Sequence, residues 1–232
     1  MTIRFYDLVG SDPARPFSPH CWKVHMALAH KALDFERIPV CFTQIPAIEG
    51  GVIKTLPAIT NGTETVSDSM AISIYLKDTF SDRGSHLFHG EGGVALSRFV
   101  EAWTNTGLNS WVRNWALLDI FEMLDPVDQA YFRRSREARY GKPLEEIVAG
   151  RENTVPDLLA RLEPLRTMLA SQPFLGGNEP AFADYIVFGA FQWLRVCSGL
   201  HMIPASEPVL DWVNRMLDLH DGLARSVSEA SA

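Results

Sequence analysis

The sequence predicts two regions of different class in one chain, a mixed α/β region followed by an all-helical one. Strand-like and helix-like segments alternate up to Phe80, a Gly- and Ser-rich stretch follows, and the remainder has a helical period. The boundaries drawn from these changes are residues 1–80, a linker at 81–93 and a helical domain at 94–232. A chain of 232 residues can bury a sizeable core under this division.

Ile3 to Leu8 mixes β-branched and aromatic residues and reads as a strand. After the loop "VGSDPARPF", Trp22, Val24, Met26, Ala27 and Leu28 give Pro19–Lys31 a helical face. "DFERIPV" alternates as a second strand ended by Pro39, and "CFTQIPAIEGGVIKT" reads as a loop. "LPAITNGTETVSDS" holds two short strands around Asn61-Gly62, a strong tight-hairpin signal. Asp68 and Ser69 are good N-caps for the helix "MAISIYLKDTF", so the order is β-α-β-(loop)-β-β-α. Past the linker "SDRGSHLFHGEGG", Phe99, Trp103, Trp111, Trp115 and Leu118 mark one long helix that Pro126 ends. "VPDLLARLEPLRTMLASQ", "FADYIVFGAFQWLRVCSG" and "PVLDWVNRMLDLH" are further helices.

Composition excludes several function classes. Hydrophobic content of 47% with 21% charged residues fits a water-soluble globular protein, and no run reaches the ~18–20 apolar residues of a bilayer span. The opening "MTIRFYDLVG" has neither the basic nor the apolar region of a signal peptide. A net charge of −7 argues against nucleic acid and anionic membranes as partners. Cys21, Cys41 and Cys197 are odd in number and widely spaced, which points to reduced thiols and a cytoplasmic setting. No His/Cys grouping has zinc spacing, so no metal is expected.

Ser18-Pro19-His20-Cys21 has the shape of a C-x-x-C redox element with serine in place of the attacking cysteine. Pro19 suits the first helical position, which makes Ser18 the N-cap. A helix N-terminus carries unpaired N–H groups and about half a positive charge, a setting that stabilises a thiolate. Such a site can host a sulfur brought in by a small molecule, with the hydroxyl as donor. The plainer reading is a cap contributing about 1 kcal/mol to the helix. Leu56-Pro57, just before a strand, is a candidate cis bond that would turn the Leu56 backbone toward an extended peptide. Asp68-Ser69 would offer a hydroxyl and helix-terminal amides to a carboxylate.

These residues carry a resemblance. "FSPHCWKVHMALAHK", "TLPAI" and "DSMAISIYL" are similar to the corresponding stretches of cytosolic glutathione transferases, and the resemblance covers essentially the whole chain. It implies a thioredoxin-like N-terminal domain followed by an all-helical one, and glutathione as co-substrate. The pattern S-P-x-x-W-[KR]-V resembles the serine- and cysteine-type classes more than the tyrosine-type ones. "YFRRSREARYGKPLEEI" looks like a stretch of the etherase-like members, the bacterial β-etherases and their fungal relatives. By this resemblance Ser18 hydrogen-bonds the glutathione sulfur, the Leu56 backbone pairs with the cysteinyl unit, and Asp68 and Ser69 hold the γ-glutamyl end. Lys54 and Gln44 are the candidates for the glycyl carboxylate. A homodimer and a hydrophobic, aromatic electrophile are implied as well, aryl ether cleavage being one such reaction.

The chain departs from the family pattern at Ala181-Phe182-Ala183-Asp184, where a capping hydroxyl is lost and Asp184 is kept. Cys21 is either a buried hydrophobe or a second thiol, the latter implying glutathione-linked thiol exchange; a non-catalytic carrier is the other rival. Tyr6 is a weaker alternative to Ser18. Phe17, Trp111 and Trp115 are expected in the electrophile pocket, against the plainer view that such tryptophans fill the helical core. Arg133, Arg134, Arg136 and Arg139 read as a solvated face offset by Asp125, Asp128 and Glu137, with anion binding as the alternative.

Overall fold

A computed structural model describes residues 2–231. Strands β1 (Ile3–Leu8), β2 (Phe35–Val40), β3 (Ala58–Asn61) and β4 (Glu64–Ser67) form one sheet in the order β2-β1-β3-β4. β1 and β2 run parallel in register from Ile3 opposite Phe35 to Leu8 opposite Val40. Parallel neighbours need a crossover, and α1 (Pro19–His30) supplies it. β3 pairs antiparallel with both β1 and β4. Gly62, at φ 63°, turns the β3–β4 hairpin where a side chain would be strained. α2 (Ser69–Thr79) closes this region. The observed order is the expected β-α-β then β-β-α.

The helical part comprises α3 (Gly90–Thr106), α4 (Leu108–Trp115), α5 (Leu117–Met123), α6 (Pro126–Tyr140), α7 (Leu144–Val148), α8 (Val155–Arg161), α9 (Glu163–Leu169), α10 (Phe182–Ser198) and α11 (Val209–Gly222). The single long helix expected before Pro126 is three, because Gly107 (φ −92°, ψ −84°) and Ala116 leave the helical path. Likewise "VPDLLARLEPLRTMLASQ" folds as α8 and α9, parted at Leu162. α3 starts at Gly90, so residues 90–93 of the expected linker are helical. The expected loop after β2 holds a 3-10 segment, Phe42–Gly51, with left-handed backbone at Glu49 and Gly50.

One apolar core runs through both regions, and α10 is its axis: all its residues are buried. A helix buried on every side must be apolar around its circumference, and "FADYIVFGAF" is, apart from Asp184. α1 packs between the sheet and α10 and is nearly as buried. Asp184 takes four donors: the N–H groups of Leu175, Gly176 and Ala181, at 2.7, 2.9 and 3.0 Å, and Trp212 Nε1 at 3.1 Å. Ala181, at the N-cap, offers only its carbonyl, to Asp184 N at 2.9 Å. Among the described residues no helix is long and apolar enough to cross a membrane.

Candidate active site

The loop from Val9 to Ser18 returns the chain from the end of β1 to the start of α1. Phe17 N donates to Leu8 O at 3.3 Å and Trp22 Nε1 to Pro16 O at 3.0 Å, which fixes the entry to the helix. Ser18 caps α1 with extended backbone, its Oγ accepting from Cys21 N at 3.3 Å, and is 5% exposed. Among the described residues its O–H finds no protein acceptor, so the hydroxyl proton is available to a ligand at the positive end of α1. No acidic residue occupies the first turn to oppose that charge.

The Leu56–Pro57 bond is cis and leads directly into β3. Asp68 caps α2 from a left-handed backbone (φ 79°), with one carboxylate oxygen accepting from Met70 N and Ala71 N. Ser69 is buried beside it. α1 packs against α2, and the charge of Asp68 favours the protonated forms of His20 and Lys23 in α1. Ser18 and Asp68 therefore cap two helices that pack together, with Ser69 beside Asp68. The structure does not bring Gln44 to them by any contact: its Oε1 is committed to Cys41 N at 2.9 Å, and it lines a separate recess with Arg4 and Tyr6. Tyr6 donates there to Glu49, away from Ser18. Lys54 is exposed and forms no ion pair among the described residues.

Ser18 also lines a cavity of about 170 Å³. Its apolar wall is Phe17, Phe42, Leu117, Ile120, Phe132 and Trp193. Polar groups enter from Ser18, His20 and Asn109 and from Arg113, Arg136 and Arg139. Burial, aided by the nearby Lys23 and Arg113 charges, lowers His20 to about 4, so it is neutral at pH 7. Phe42 is placed there from α6: both Asp128 oxygens are used, one by Phe42 N at 2.6 Å, the other by Thr43 N at 2.9 Å and Thr43 Oγ1 at 2.6 Å. Cys41, Asp125 and Asp128 lie close together, but these bonds and the Asp125 cap on α6 already account for the carboxylates.

Of Phe17, Trp111 and Trp115, only Phe17 lines this cavity. Trp111 and Trp115 stack on each other at 4.8 Å and are buried in the helical core, with Trp111 Nε1 donating to Thr154 O. The tryptophan that does reach the cavity is Trp193, from the middle of α10. Nothing in its sequence neighbourhood separates it from the core. Phe42, Asn109 and Arg113 were equally illegible, because three distant segments converge on the site only through packing. Cys21 is fully buried, and burial with the adjacent Asp7 charge pushes its thiol well above the usual range. A thiol held protonated in the core is a poor nucleophile, which argues against thiol exchange through Cys21.

Family comparison decides the assignment. Residues 95–217 match the glutathione S-transferase C-terminal domain and residues 17–79 the N-terminal domain. The chain belongs to the glutathione S-transferase family. The chain is similar to glutathione transferase GSTFuA3 from Phanerochaete chrysosporium, with 27% identity, a TM-score of 0.78, and 100% of this chain and 99% of that chain covered. It shares its fold with a glutathione S-transferase of Ceriporiopsis subvermispora solved in complex with glutathione, at 22% identity and TM-score 0.82 over 100% of both chains. Among curated proteins it is 26% identical to the glutathione S-transferase-like protein ustS of Aspergillus flavus, over 82% of this chain and 79% of that one.

Proposed function

We propose that this transferase binds glutathione across the N-termini of α1 and α2, and directs its sulfur at a hydrophobic, aromatic electrophile in the adjoining cavity. The observation that carries this is Ser18: a hydroxyl with a free proton, at a positive helix end, on the rim of an aromatic-walled cavity. Glutathione loses its thiol proton to solvent, and the Ser18 O–H donates to the resulting thiolate. The thiolate forms a C–S bond to the electrophilic carbon while the leaving group departs with its bonding pair. A phenolate leaving group would make the reaction an aryl ether cleavage. Asp68 and Ser69 hold the γ-glutamyl end, and Leu56 offers its backbone to the cysteinyl unit. The glutathione bound to the Ceriporiopsis transferase, which shares the fold, is in keeping with this co-substrate. The enzyme is read as cytoplasmic and as a homodimer, for which Phe99, 72% exposed on α3, offers an apolar contact.

The test is the pH dependence of kcat/KM with glutathione and a chloronitrobenzene, for the wild type and Ser18→Ala. A hydrogen bond to a charged sulfur is worth ~1.5–3 kcal/mol, so the variant should lose roughly 10- to 100-fold and its profile should move to higher pH. An unchanged profile overturns the role of Ser18, and binding without turnover identifies a carrier.

A further inference from the structure

Three arginines at the cavity lack the acidic partners that the sequence provides nearby. Arg113 lies in the last turn of α4, Arg136 and Arg139 in the last half of α6, and all three line the cavity with Ser18. Among the described residues none of them forms an ion pair. The acids of α6 are all engaged elsewhere: Asp125 caps the helix, Asp128 holds Phe42 and Thr43, and Glu137 pairs with Arg133. The outward Arg133 also takes Glu145, so it is the one neutralised arginine of the cluster at which two carboxylates gather.

Arg136 is the central cation. Its guanidinium lies 4.5 Å from the Phe132 ring centre and 5.6 Å from that of Phe42, and among the described residues its one hydrogen bond goes to Ser135 Oγ at 3.0 Å. Burial, then the charges of Arg139 and Arg113, make its protonated form less favourable; Tyr131 and Tyr140 oppose this, and no carboxylate does. Stacking on the Phe132 and Phe42 faces favours the Arg136 cation. The C-terminal ends of α4 and α6 favour a cation beside them. Neither explains why three like charges converge on one aromatic cavity in a chain with seven more acidic than basic residues. A partly desolvated cationic cluster is stable when an anion completes it.

We infer that the electrophile of this transferase is an aromatic compound bearing a carboxylate or similar anionic group, its ring between Phe42, Phe132 and Trp193 and its anion on Arg113, Arg136 and Arg139. An apolar cavity of about 150 Å³ admits a benzene ring, so about 170 Å³ suits one substituted ring. The inference rests on the transferase reading above and specifies its substrate class. In the reaction chosen for its test, the glutathione thiolate attacks the ring carbon bearing chlorine; the C–S bond forms, the C–Cl bond breaks and chloride leaves with the electron pair.

The experiment compares 4-chloro-3-nitrobenzoate with its uncharged methyl ester, each with glutathione, as kcat/KM divided by the spontaneous rate constant. A charge-assisted contact predicts about a tenfold or greater preference for the carboxylate. Arg136→Gln should reduce the carboxylate's value more than the ester's, with Arg136→Lys intermediate, and the glutathione dissociation constant should stay within about twofold. Equal or greater acceleration of the ester, with glutathione bound normally, overturns this inference and leaves the transferase reading intact. A weaker glutathione complex in Arg136→Gln reassigns the cluster to the tripeptide and overturns it too. No uptake of glutathione by the wild type overturns the underlying reading, and this one with it.

Discussion

Gly189 of α10 lies directly against the backbone of Pro19: a methyl group built on it would sit 2.4 Å from the Pro19 carbonyl oxygen. The first turn of α1, which Ser18 caps, is thus seated on α10 through bare backbone. Gly189→Ala would gain ~1 kcal/mol of helix propensity but force two backbones apart. Such overpacking costs ~1–3 kcal/mol, and at this chain length each kcal/mol is worth roughly 2–4 °C in Tm. A lower Tm by calorimetry, with glutathione affinity reduced as well, is the expected result.

Cys21 is one turn from Ser18 yet has no solvent access. Cys21→Ala should retain conjugating activity within about threefold, at a stability cost of the size expected for a small buried side chain. Alkylation of the native protein by iodoacetamide, mapped by mass spectrometry, should spare Cys21 and Cys197, both buried, relative to the half-buried Cys41.

The carboxylate of Asp184 satisfies four donors in the core. Asp184→Ala leaves them unpaired, at ~1–3 kcal/mol each, so a loss of more than ~3 kcal/mol in urea unfolding is expected. Ala181→Ser supplies the missing capping hydroxyl at an N-cap whose backbone is already extended, and should raise stability by ~0.5–1 kcal/mol.

Two kinds of buried group set opposite pH slopes. Asp7 is pushed up to about 7 by burial, so the folded state keeps a proton there that the unfolded chain releases near pH 4. Its contribution is present below that value and is lost as pH rises to 7. His20, His25 and His30 are lowered by burial to about 4, 3 and 4, so the unfolded chain takes up protons below pH 6.5 that the folded state refuses. Their contribution is complete above pH 6.5 and falls away toward pH 4. Burial also lowers His220 and raises Asp184. Four histidines outweigh two aspartates, and unfolding free energy should rise from pH 4.5 to 6.5. Asp7→Asn removes one opposing contribution, and its rise should be steeper.

The N-terminal region was legible because local chemistry marks its elements: the Asn61-Gly62 turn, the Ser18-Pro19 cap, and Asp68 before an apolar run. The breaks at Gly107, Ala116 and Leu162 were hidden because the apolar period continues across them, and a kink that preserves the buried face leaves no mark on it. The part of the candidate site around Ser18 and Asp68 sits on those marked helix ends. The cavity wall does not, being assembled from the ends of α4 and α6, the middle of α10 and a 3-10 segment. Trp193 and Arg113 are ordinary helix residues until the helices meet. Even the arginine cluster, visible as a charge run, is cationic only because its expected counter-ions have other work.

Asp128 ties Phe42 and Thr43 to α6 through three hydrogen bonds, one to Phe42 and two to Thr43, that cross from one half of the molecule to the other. This clasp makes the two halves poor candidates for exchange between relatives. A chimera that took its helices from a transferase without a carboxylate at this position would leave the Phe42 and Thr43 amides unanswered and the wall of the cavity adrift. Recombination should therefore succeed only where both sides of the seam travel together.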